Sequence, residues 1–279
     1  MDLVKDLAIV LRSVQYGERH RIVTAITEEH GCISALARNS VHSKRFGGTL
    51  DLFVAGEWHF CGRPGAELLS LRETTARRSF GGIHADLSKL SLASVFSEIL
   101  LRIASSPGHE RSTDLFRLHA NALAAVEESS KLEAAEATRF LNCYMAKILC
   151  WNGTAPALDK CNYCERSALG HDSAAEEERV HFLINNATWA CGGCSAAVEK
   201  TITSKNISLS VVREFQRLLT TPIRQLINTP ALKNLQQELF DVIESLFVYH
   251  VPGFDRAPLK GLRFLGLKSN VSTQAVNRR

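Results

Sequence analysis

The chain has 279 residues, 45% of them hydrophobic, and a formal net charge of +4. This apolar content is sufficient for a buried core, and the length fits two or three small domains better than one. Because the net charge is small, the overall field is too weak to hold an anionic partner, which would need a local cluster of cations.

The N-terminus and the apolar runs bear on cellular location. The chain opens with Asp2 and lacks the basic stretch and apolar run of a secretory signal peptide. No stretch reaches the roughly 18 uninterrupted apolar residues that cross a bilayer. We therefore expect a cytoplasmic protein without a membrane partner.

Residues 7–77 have the pattern of short β-strands. Apolar residues alternate with their neighbours in two runs, interrupted in the second at Gly56: Leu7, Ile9 and Leu11, then Leu52, Val54, Trp58 and Phe60. RIVTAIT and CISALA are joined by EEHG, a plain hairpin turn, and ELLSLRET completes about five strands. The pattern predicts a small Greek-key barrel such as the OB-fold, although an SH3-like barrel has nearly the same pattern.

After His84 the apolar period changes to that of α-helices. Three stripes are predicted to be core rather than a cofactor site: Leu92, Phe96, Ile99, Leu100 and Ile103; Phe140, Leu141, Tyr144, Ile148 and Trp151; and Leu232, Leu235, Leu239, Val242, Leu246 and Tyr249. Ser130 with Glu133 forms a plausible capping box for the second helix. Thr229 is the predicted cap of the third, with Pro230 at its first position.

Two CxxC pairs interrupt the helical region. Cys161 and Cys164 are separated by 26 residues from Cys191 and Cys194, and VHFLI, Asn185-Asn186 and Thr188-Trp189-Ala190 predict a ribbon between them. Two such pairs are typical of a structural zinc site with four thiolate ligands and no open position. The alternatives are two disulfides, a redox motif, buried thiols, or a site in which His171 or His181 replaces a cysteine.

The remaining cysteines are expected to be small buried hydrophobes. Cys143 and Cys150 lie seven positions apart on one predicted helix, and Cys32 and Cys61 lie in strand-like runs.

Motifs of catalysis are missing from the sequence. It contains no GxxxxGK[ST], HExxH or GxSxG. The acidic cluster Glu176, Glu177 and Glu178 lies inside the cysteine segment, where a solvated loop is expected. We therefore expect a protein that is not an enzyme.

Basic residues are concentrated in two places. The loop RNSVHSKRFGGTL carries Arg38, Lys44 and Arg45 without an acid, between two predicted strands. The C-terminal segment has no acid after Asp255 and ends in a run that we expect to be a solvated end, with the cations Arg256, Lys260, Arg263, Lys268, Arg278 and Arg279.

Together these patterns predict an α+β chain: an N-terminal β-barrel, either an OB-fold β-barrel or an SH3-like one, followed by an α-helical domain with an inserted zinc ribbon of four cysteine ligands. The predicted boundaries are a barrel at 1–80, the helical domain at 81–158 and 198–252, the zinc insert at 159–197 and a basic tail at 253–279.

The sequence also resembles the RecO family of bacterial recombination mediators over nearly its whole length. The specific elements are the turn at Tyr16 to Glu18, the EHG hairpin, KRFGG at Lys44 to Gly48, the paired CxxC motifs and YHVPGF…LKGLRFL. The resemblance implies an OB-fold, a helical domain and, in many members, a zinc site. Because some members lack the cysteines, the metal is not the source of the shared function.

The resemblance implies a DNA-repair function without catalysis. Such proteins bind single- and double-stranded DNA, anneal complementary strands and help to load recombinase onto DNA coated with single-strand-binding protein, together with RecR, which places the protein at the nucleoid. The predicted DNA contacts are Arg19, Arg21, Arg38, Lys44 and Arg45, with Tyr16 and Phe46 as the exposed aromatics. Arg139 and Lys147 are candidates for holding the acidic tail of single-strand-binding protein.

Two other function classes compete with this interpretation. A zinc-ribbon adaptor between proteins is compatible with the mixed charge of residues 1–80, which hold eleven Lys/Arg and nine Asp/Glu. A nuclease or nucleotidyl transferase would need a carboxylate cluster, which the sequence does not show.

Overall fold

The computed structural model describes residues 3–62, 66–104, 113–168, 178–198, 203–254 and 257–269. The chain divides into two compact units, Met1–Glu128 and Ser129–Arg279. None of the helices formed by the described residues is long and apolar enough to cross a bilayer.

The first unit contains a closed five-stranded barrel in the order β1-β2-β3-β5-β4. Neighbouring strands are antiparallel except for β3 and β5, which are parallel. The predicted OB-like barrel is therefore confirmed. Its strands are β1 (Val4–Tyr16), β2 (His20–Thr27), β3 (Gly31–Ala37), β4 (Ala55–Cys61) and β5 (Leu69–Arg78).

The barrel core uses the two-residue period of every strand. Small and branched side chains from β1, β2 and β3 meet larger ones from β4 and β5: Ala8, Val10, Val23, Ala25, Ala35, Ala37, Trp58, Phe60 and Leu71. β1 is buried on both faces, because Ile9 and Leu11 lie outside this cluster and are also buried. Helix α2 (Leu87–Ala104) packs against β1.

The strand predicted from Leu52 begins later, at Ala55. Phe53 has a φ of 65°, so the chain turns there instead of extending. Gly56, where the sequence period breaks, is required by close packing, because a Cβ at that position would lie 2.4 Å from the carbonyl oxygen of Thr75. A side chain there would push β4 away from β5.

Two further helices complete the first unit. α1 (Gly81–His84) and α3 (Thr113–Glu128) pack on each other and on α2. α3 is not predicted from the sequence. Glu127 near its end receives hydrogen bonds from the Arg78 side chain and from the backbone N–H of Gly82, and so connects the helix to the barrel.

The second unit is helical with a three-stranded sheet of order β7-β6-β8. The hairpin of β6 and β7 confirms the predicted ribbon, whereas β8 and α5 are not predicted. The elements are α4 (Ala134–Trp151), β6 (Arg179–Leu183), β7 (Thr188–Ala190), β8 (Ser204–Ser208), α5 (Leu209–Thr220) and α6 (Lys233–His250).

Both predicted helix caps in this unit are wrong. α4 begins at Ala134, and the Ser130 hydroxyl donates to Asn228 Oδ1 at 3.3 Å instead of capping the helix. α6 begins at Lys233 rather than at Pro230. The Thr229 hydroxyl donates back to the carbonyl of Leu226.

A buried arginine explains why the chain before α6 is not helical. The Arg139 side chain is only 1% exposed, and its guanidinium donates to the carbonyls of Leu226, Thr229 and Pro230 at 2.8, 2.6 and 2.7 Å. Burial lowers the pKa of Arg139, with a contribution from nearby Arg217. These three charge-assisted bonds hold residues 226–230 against α4.

Candidate nucleic-acid interface and metal centre

Strand register brings the predicted DNA-contacting residues to one end of the barrel. Tyr16 pairs with His20 across the β1–β2 turn, and Arg21 pairs with Ala37 at the end of β3. The backbone N–H of Val41 donates to the carbonyl of Arg19 at 3.2 Å. The β1–β2 turn and the β3–β4 connection, residues 38–54, therefore lie side by side.

The β3–β4 connection is a set of tight turns held by the core. Gly47 N–H donates to Ser43 and Thr49 N–H donates to Phe46, at 3.1 and 2.9 Å. Phe46 is 2% exposed and belongs to the barrel core, so its prediction as an exposed aromatic is wrong. Its burial leaves the flanking Lys44 and Arg45 exposed at a fixed place.

Four of the five predicted DNA-contacting cations have no acidic partner among the described residues. Four predicted contacts are exposed, and among the described residues none of them forms an ion pair: Arg19, Arg38, Lys44 and Arg45. Arg21 is different, because its guanidinium lies 3.4 Å from Asp51 and its side chain is 29% exposed. The end therefore presents positive charge that the protein itself does not neutralise.

By contrast, the cations around Glu57 of β4 are paired with its carboxylate. Glu57 binds Lys5 at 3.0 Å and Arg77 at 3.2 Å, and it also accepts a hydrogen bond from His59. Hydrogen bonds from Lys5, then His59 and Arg77, lower the pKa of Glu57 to about 2. Cations on this face are already paired, so fewer of them are available to phosphates.

One aromatic side chain accompanies the unpaired cations. Tyr16, the last residue of β1, is 57% exposed, as predicted. An exposed ring beside cations can stack on an unpaired base while the cations contact the phosphates.

The four cysteines of the two CxxC pairs come together in the second unit. Their Sγ atoms all lie within 4.8 Å of one another, and those of Cys164 and Cys191 are 3.7 Å apart. Sulfurs bound to a tetrahedral zinc at about 2.3 Å are about 3.8 Å apart. The donor set and its spacing therefore fit a zinc ion with four cysteine ligands.

The backbone around the cluster is shaped for thiolates. Backbone N–H groups, including that of Cys191 at 3.3 Å, point at Cys161 Sγ. Burial opposes ionisation of this thiol, but the N–H groups of Cys191, Cys164 and Tyr163 lower its pKa to about 6. Hydrogen bonds to Cys191 and Cys164 raise the pKa of Cys194 to about 12, because neighbouring thiols resist a second negative charge. A dication removes that repulsion.

Of the two histidines proposed as substitute ligands, only His181 lies in the described part of the chain, and it does not join the cluster. His181 is not among the grouped ligands, and within the part of the chain that the structure describes this is the one group of metal-binding type. His171, Glu176 and Glu177 lie outside the described residues. Glu178 receives two hydrogen bonds from Arg166, at 2.8 and 2.7 Å, which brace the ribbon beside the first pair.

Two family models together match most of the chain. The model described as "Recombination protein O N terminal" matches residues 1–80, and "Recombination protein O C terminal" matches residues 84–257. The chain belongs to the RecO family. The resemblance inferred from the sequence is thereby confirmed, and with it the assignment to DNA repair and recombination.

Individual RecO proteins match over most of their length. The DNA repair protein RecO of Anaeromyxobacter dehalogenans is 32% identical over 203 residues, 72% of this chain and 74% of that protein. RecO of Myxococcus xanthus is 29% identical over 80% of this chain and 85% of its own length. RecO of Bifidobacterium adolescentis is 26% identical over 95% of this chain and all of its own length.

Other sequence predictions for this RecO chain need correction. Arg139 is buried and bound to backbone carbonyls, so its proposed role as a surface cation for a partner's tail is wrong. Lys147 donates to the carbonyl of Leu219 at 2.5 Å. Of the four cysteines predicted to be buried, Cys61 and Cys143 are buried, Cys32 is half-buried and Cys150 is exposed. Desolvation raises the pKa of Cys32 and of Cys143 to about 12.

The C-terminal segment is more ordered than the sequence predicts. Residues 257–269 are described and are anchored by four buried leucines, so the expected solvated end is wrong for this part; residues 255–256 and 270–279 lie outside the described chain. The sequence feature that indicates this burial is the repeated leucine spacing in LKGLRFLGL, formed by Leu259, Leu262, Leu265 and Leu267.

Proposed function

We propose that this RecO chain binds single- and double-stranded DNA at the cationic end of its barrel and anneals complementary strands. The observation that supports the proposal most directly is the contrast in charge pairing. Cations of the β1–β2 turn and the β3–β4 connection have no acidic partner among the described residues, whereas Lys5 and Arg77 are bound to Glu57. Unpaired cations gain the most from contact with phosphates, because binding releases the counterions of the DNA.

Annealing follows from what these residues contact. Contacts of lysine and arginine with phosphates carry no sequence information, so a strand held in this way can have any sequence. Neutralised phosphates also repel a second strand less. The bases stay available for pairing, apart from any that stack on Tyr16. The chain therefore holds the strands and screens the charge of their phosphates, and no covalent bond is made or broken.

The zinc is proposed to be structural, with one ion per chain. Cys161, Cys164, Cys191 and Cys194 would occupy all four positions of a tetrahedral site, which leaves none for water. When bound, the ion neutralises the thiolates and so stabilises the fold of the insert.

The remaining parts of the proposal concern partners. We propose that the chain acts with RecR and binds the acidic tail of single-strand-binding protein through its second unit, so that recombinase can be loaded onto coated DNA. This work would take place in the cytoplasm, at the nucleoid. With Arg139 buried, a tail site needs other cations of that unit.

Strand annealing in the presence of the cognate single-strand-binding protein tests the proposal. We expect the wild-type chain to accelerate annealing of complementary oligonucleotides coated with that protein, and Lys44→Ala/Arg45→Ala to slow it. A chain that fails to anneal and binds oligonucleotides weakly at both low and high salt would instead be the zinc-ribbon adaptor.

A further inference from the structure

The segment after α6 forms a second exposed surface of cations and an aromatic ring. Residues Lys260–Leu265 form a 3₁₀ helix, closed by Gly266 at a φ of 70°. Leu259, Leu262 and Leu265 are buried beneath it. The segment is thus fixed by its own apolar side, and its opposite side is presented to solvent.

Phe264 occupies the outer side of this helix. Its side chain is 55% exposed, although large hydrophobic residues are normally buried, and the Arg263 guanidinium lies 4.6 Å from the centre of its ring. A guanidinium at this distance makes a cation–π contact that holds the ring in place. The ring nevertheless keeps more than half of its surface open.

The segment that carries Phe264 contributes cations and no acid, and the Glu244 carboxylate that binds the hydroxyl of Ser269 is buried. Lys260, Arg263 and Lys268 lie within nine positions, and the sequence from residue 256 to 279 contains no acid. Among the described residues, Arg263 and Lys268 have no carboxylate within ion-pair distance. A ligand for this surface must therefore tolerate or favour positive charge.

We propose that this surface, defined as Lys260, Arg263, Phe264 and Lys268, is a second contact for single-stranded nucleic acid, separate from the barrel. One base stacks on Phe264, and Arg263 and Lys268 contact the neighbouring phosphates. An exposed ring flanked by cations is how single strands are bound without sequence preference. A purely apolar partner would leave Arg263 and Lys268 unmatched, so the charge favours a polyanion over an apolar protein side chain.

Substitutions at Phe264 separate stacking from general attraction. Phe264→Ala should weaken binding of a single-stranded oligonucleotide by at least about fivefold, the lower end of the effect of losing one stacking ring. Binding to a duplex of the same length should change less than twofold, because paired bases are not free to stack. Phe264→Leu should bind single strands like Phe264→Ala, since it keeps apolar area without a π face. Leu232→Ala, at a position 72% exposed in the same unit, is the matched control.

A fluorescence readout makes the contact visible. Of the three native tryptophans, Trp58 and Trp189 are buried and Trp151 is half-buried, so the wild-type chain gives the background emission. Phe264→Trp adds an indole whose emission a stacked base should quench beyond that background. Quenching by single strands but not by the duplex supports the proposal. Wild-type affinity of Phe264→Leu, or an indole unaffected by single strands, overturns it.

The barrel and this surface can be tested independently. Phe264→Ala is compared with Lys44→Ala/Arg45→Ala in the same assay, and thermal melting verifies that each full-length variant is folded. If only the barrel variant loses affinity, the second contact is refuted while the proposed function stands. If Phe264→Ala changes the oligomeric state instead of DNA affinity, the surface is a protein interface and the proposal is wrong.

Discussion

Replacing Lys44 and Arg45 together by alanine tests the cationic end of the barrel. If both side chains contact phosphates, about two contacts are lost, and each contributes about 0.7 to the slope of log affinity against log salt for single strands. The slope should therefore flatten by about 1.4. Between about 50 and 200 mM salt, the wild-type chain should lose about sevenfold more affinity than the variant.

The structure indicates that this change leaves the barrel intact. Both side chains are exposed, and the backbone N–H of Arg45, which donates to the Ser43 hydroxyl at 3.1 Å, survives the substitution. Phe46, which anchors the connection, is unchanged. We expect the free energy of unfolding to change by no more than about 0.5 kcal/mol, the usual range for surface substitutions.

Fluorescence anisotropy of labelled oligonucleotides across a salt series measures the slope. Lys5→Ala/Arg77→Ala is the matched control, because it removes the same net charge from cations that are already bound to Glu57. The control should keep the wild-type slope. An unchanged slope in Lys44→Ala/Arg45→Ala, or an equal flattening in the control, would show that these residues contribute only general charge.

The metal centre, Tyr16 and His119 each provide a further test. Purified chain should contain one zinc ion, and Cys161→Ser should lose the ion and melt about 6 °C or more lower, which corresponds to a loss of about 3 kcal/mol in the free energy of unfolding. The control Cys150→Ser should keep both the ion and the melting temperature. Metal analysis and calorimetry measure these quantities, and a wild-type chain that is folded without metal would contradict the prediction. Tyr16→Ala should weaken single-strand binding about fivefold or more while Tyr16→Phe retains it; equal binding by all three would remove Tyr16 from the interface. Burial lowers the pKa of His119 to about 3. Below about pH 6.5 the unfolded chain therefore binds a proton that the folded chain does not bind, and the free energy of unfolding should fall by up to about 1.4 kcal/mol for each unit of decreasing pH. Denaturant titrations at several pH values should show a weaker dependence of this free energy on pH for His119→Gln than for the wild type. The exposed His42→Gln is the control and should not show this weakening.

The barrel was predictable where its signals are local. Alternating apolar residues mark the strands, and glycines mark their turns, as at Gly31 between β2 and β3. The pairing of β3 with β5 is not local, because it joins Ala35 to Leu69 and the whole of β4 lies between them in the chain. Phe46 was misjudged for a related reason. A Gly/Ser-rich context predicts exposure, and only the closed barrel shows that the ring packs in its core.

The metal centre was predictable because spacing alone specifies the ligands. Ahead of the second pair, β6 and β7 form a hairpin, and the Sγ atoms of Cys164 and Cys191 lie 3.7 Å apart. β8 escaped prediction, since it has one buried residue, Ile207, in a polar run. α5 does have a helical apolar stripe, formed by Val211, Val212, Phe215 and Leu218, and this signal was missed.

The predicted starts of α4 and α6 were wrong for a different physical reason. Ser130 and Thr229 satisfy the local rules for capping, but each side chain is used elsewhere. The carbonyls of Thr229 and Pro230 accept hydrogen bonds from Arg139, about ninety positions earlier in the chain. A charge-assisted bond of this kind is stronger than a neutral cap, so the long-range contact decides where α6 begins.

The anchoring of the β3–β4 connection also limits how its length can vary. Surface loops usually accept insertions and deletions at little cost. Here Phe46, Leu50 and Phe53 are all buried, and the backbone of Phe53 and Val54 is hydrogen-bonded to Val10 of β1. An added or missing residue would displace at least one of these side chains from the core. Among relatives, we expect this connection to change in the identity of exposed residues, such as position 42, while the number of residues stays constant.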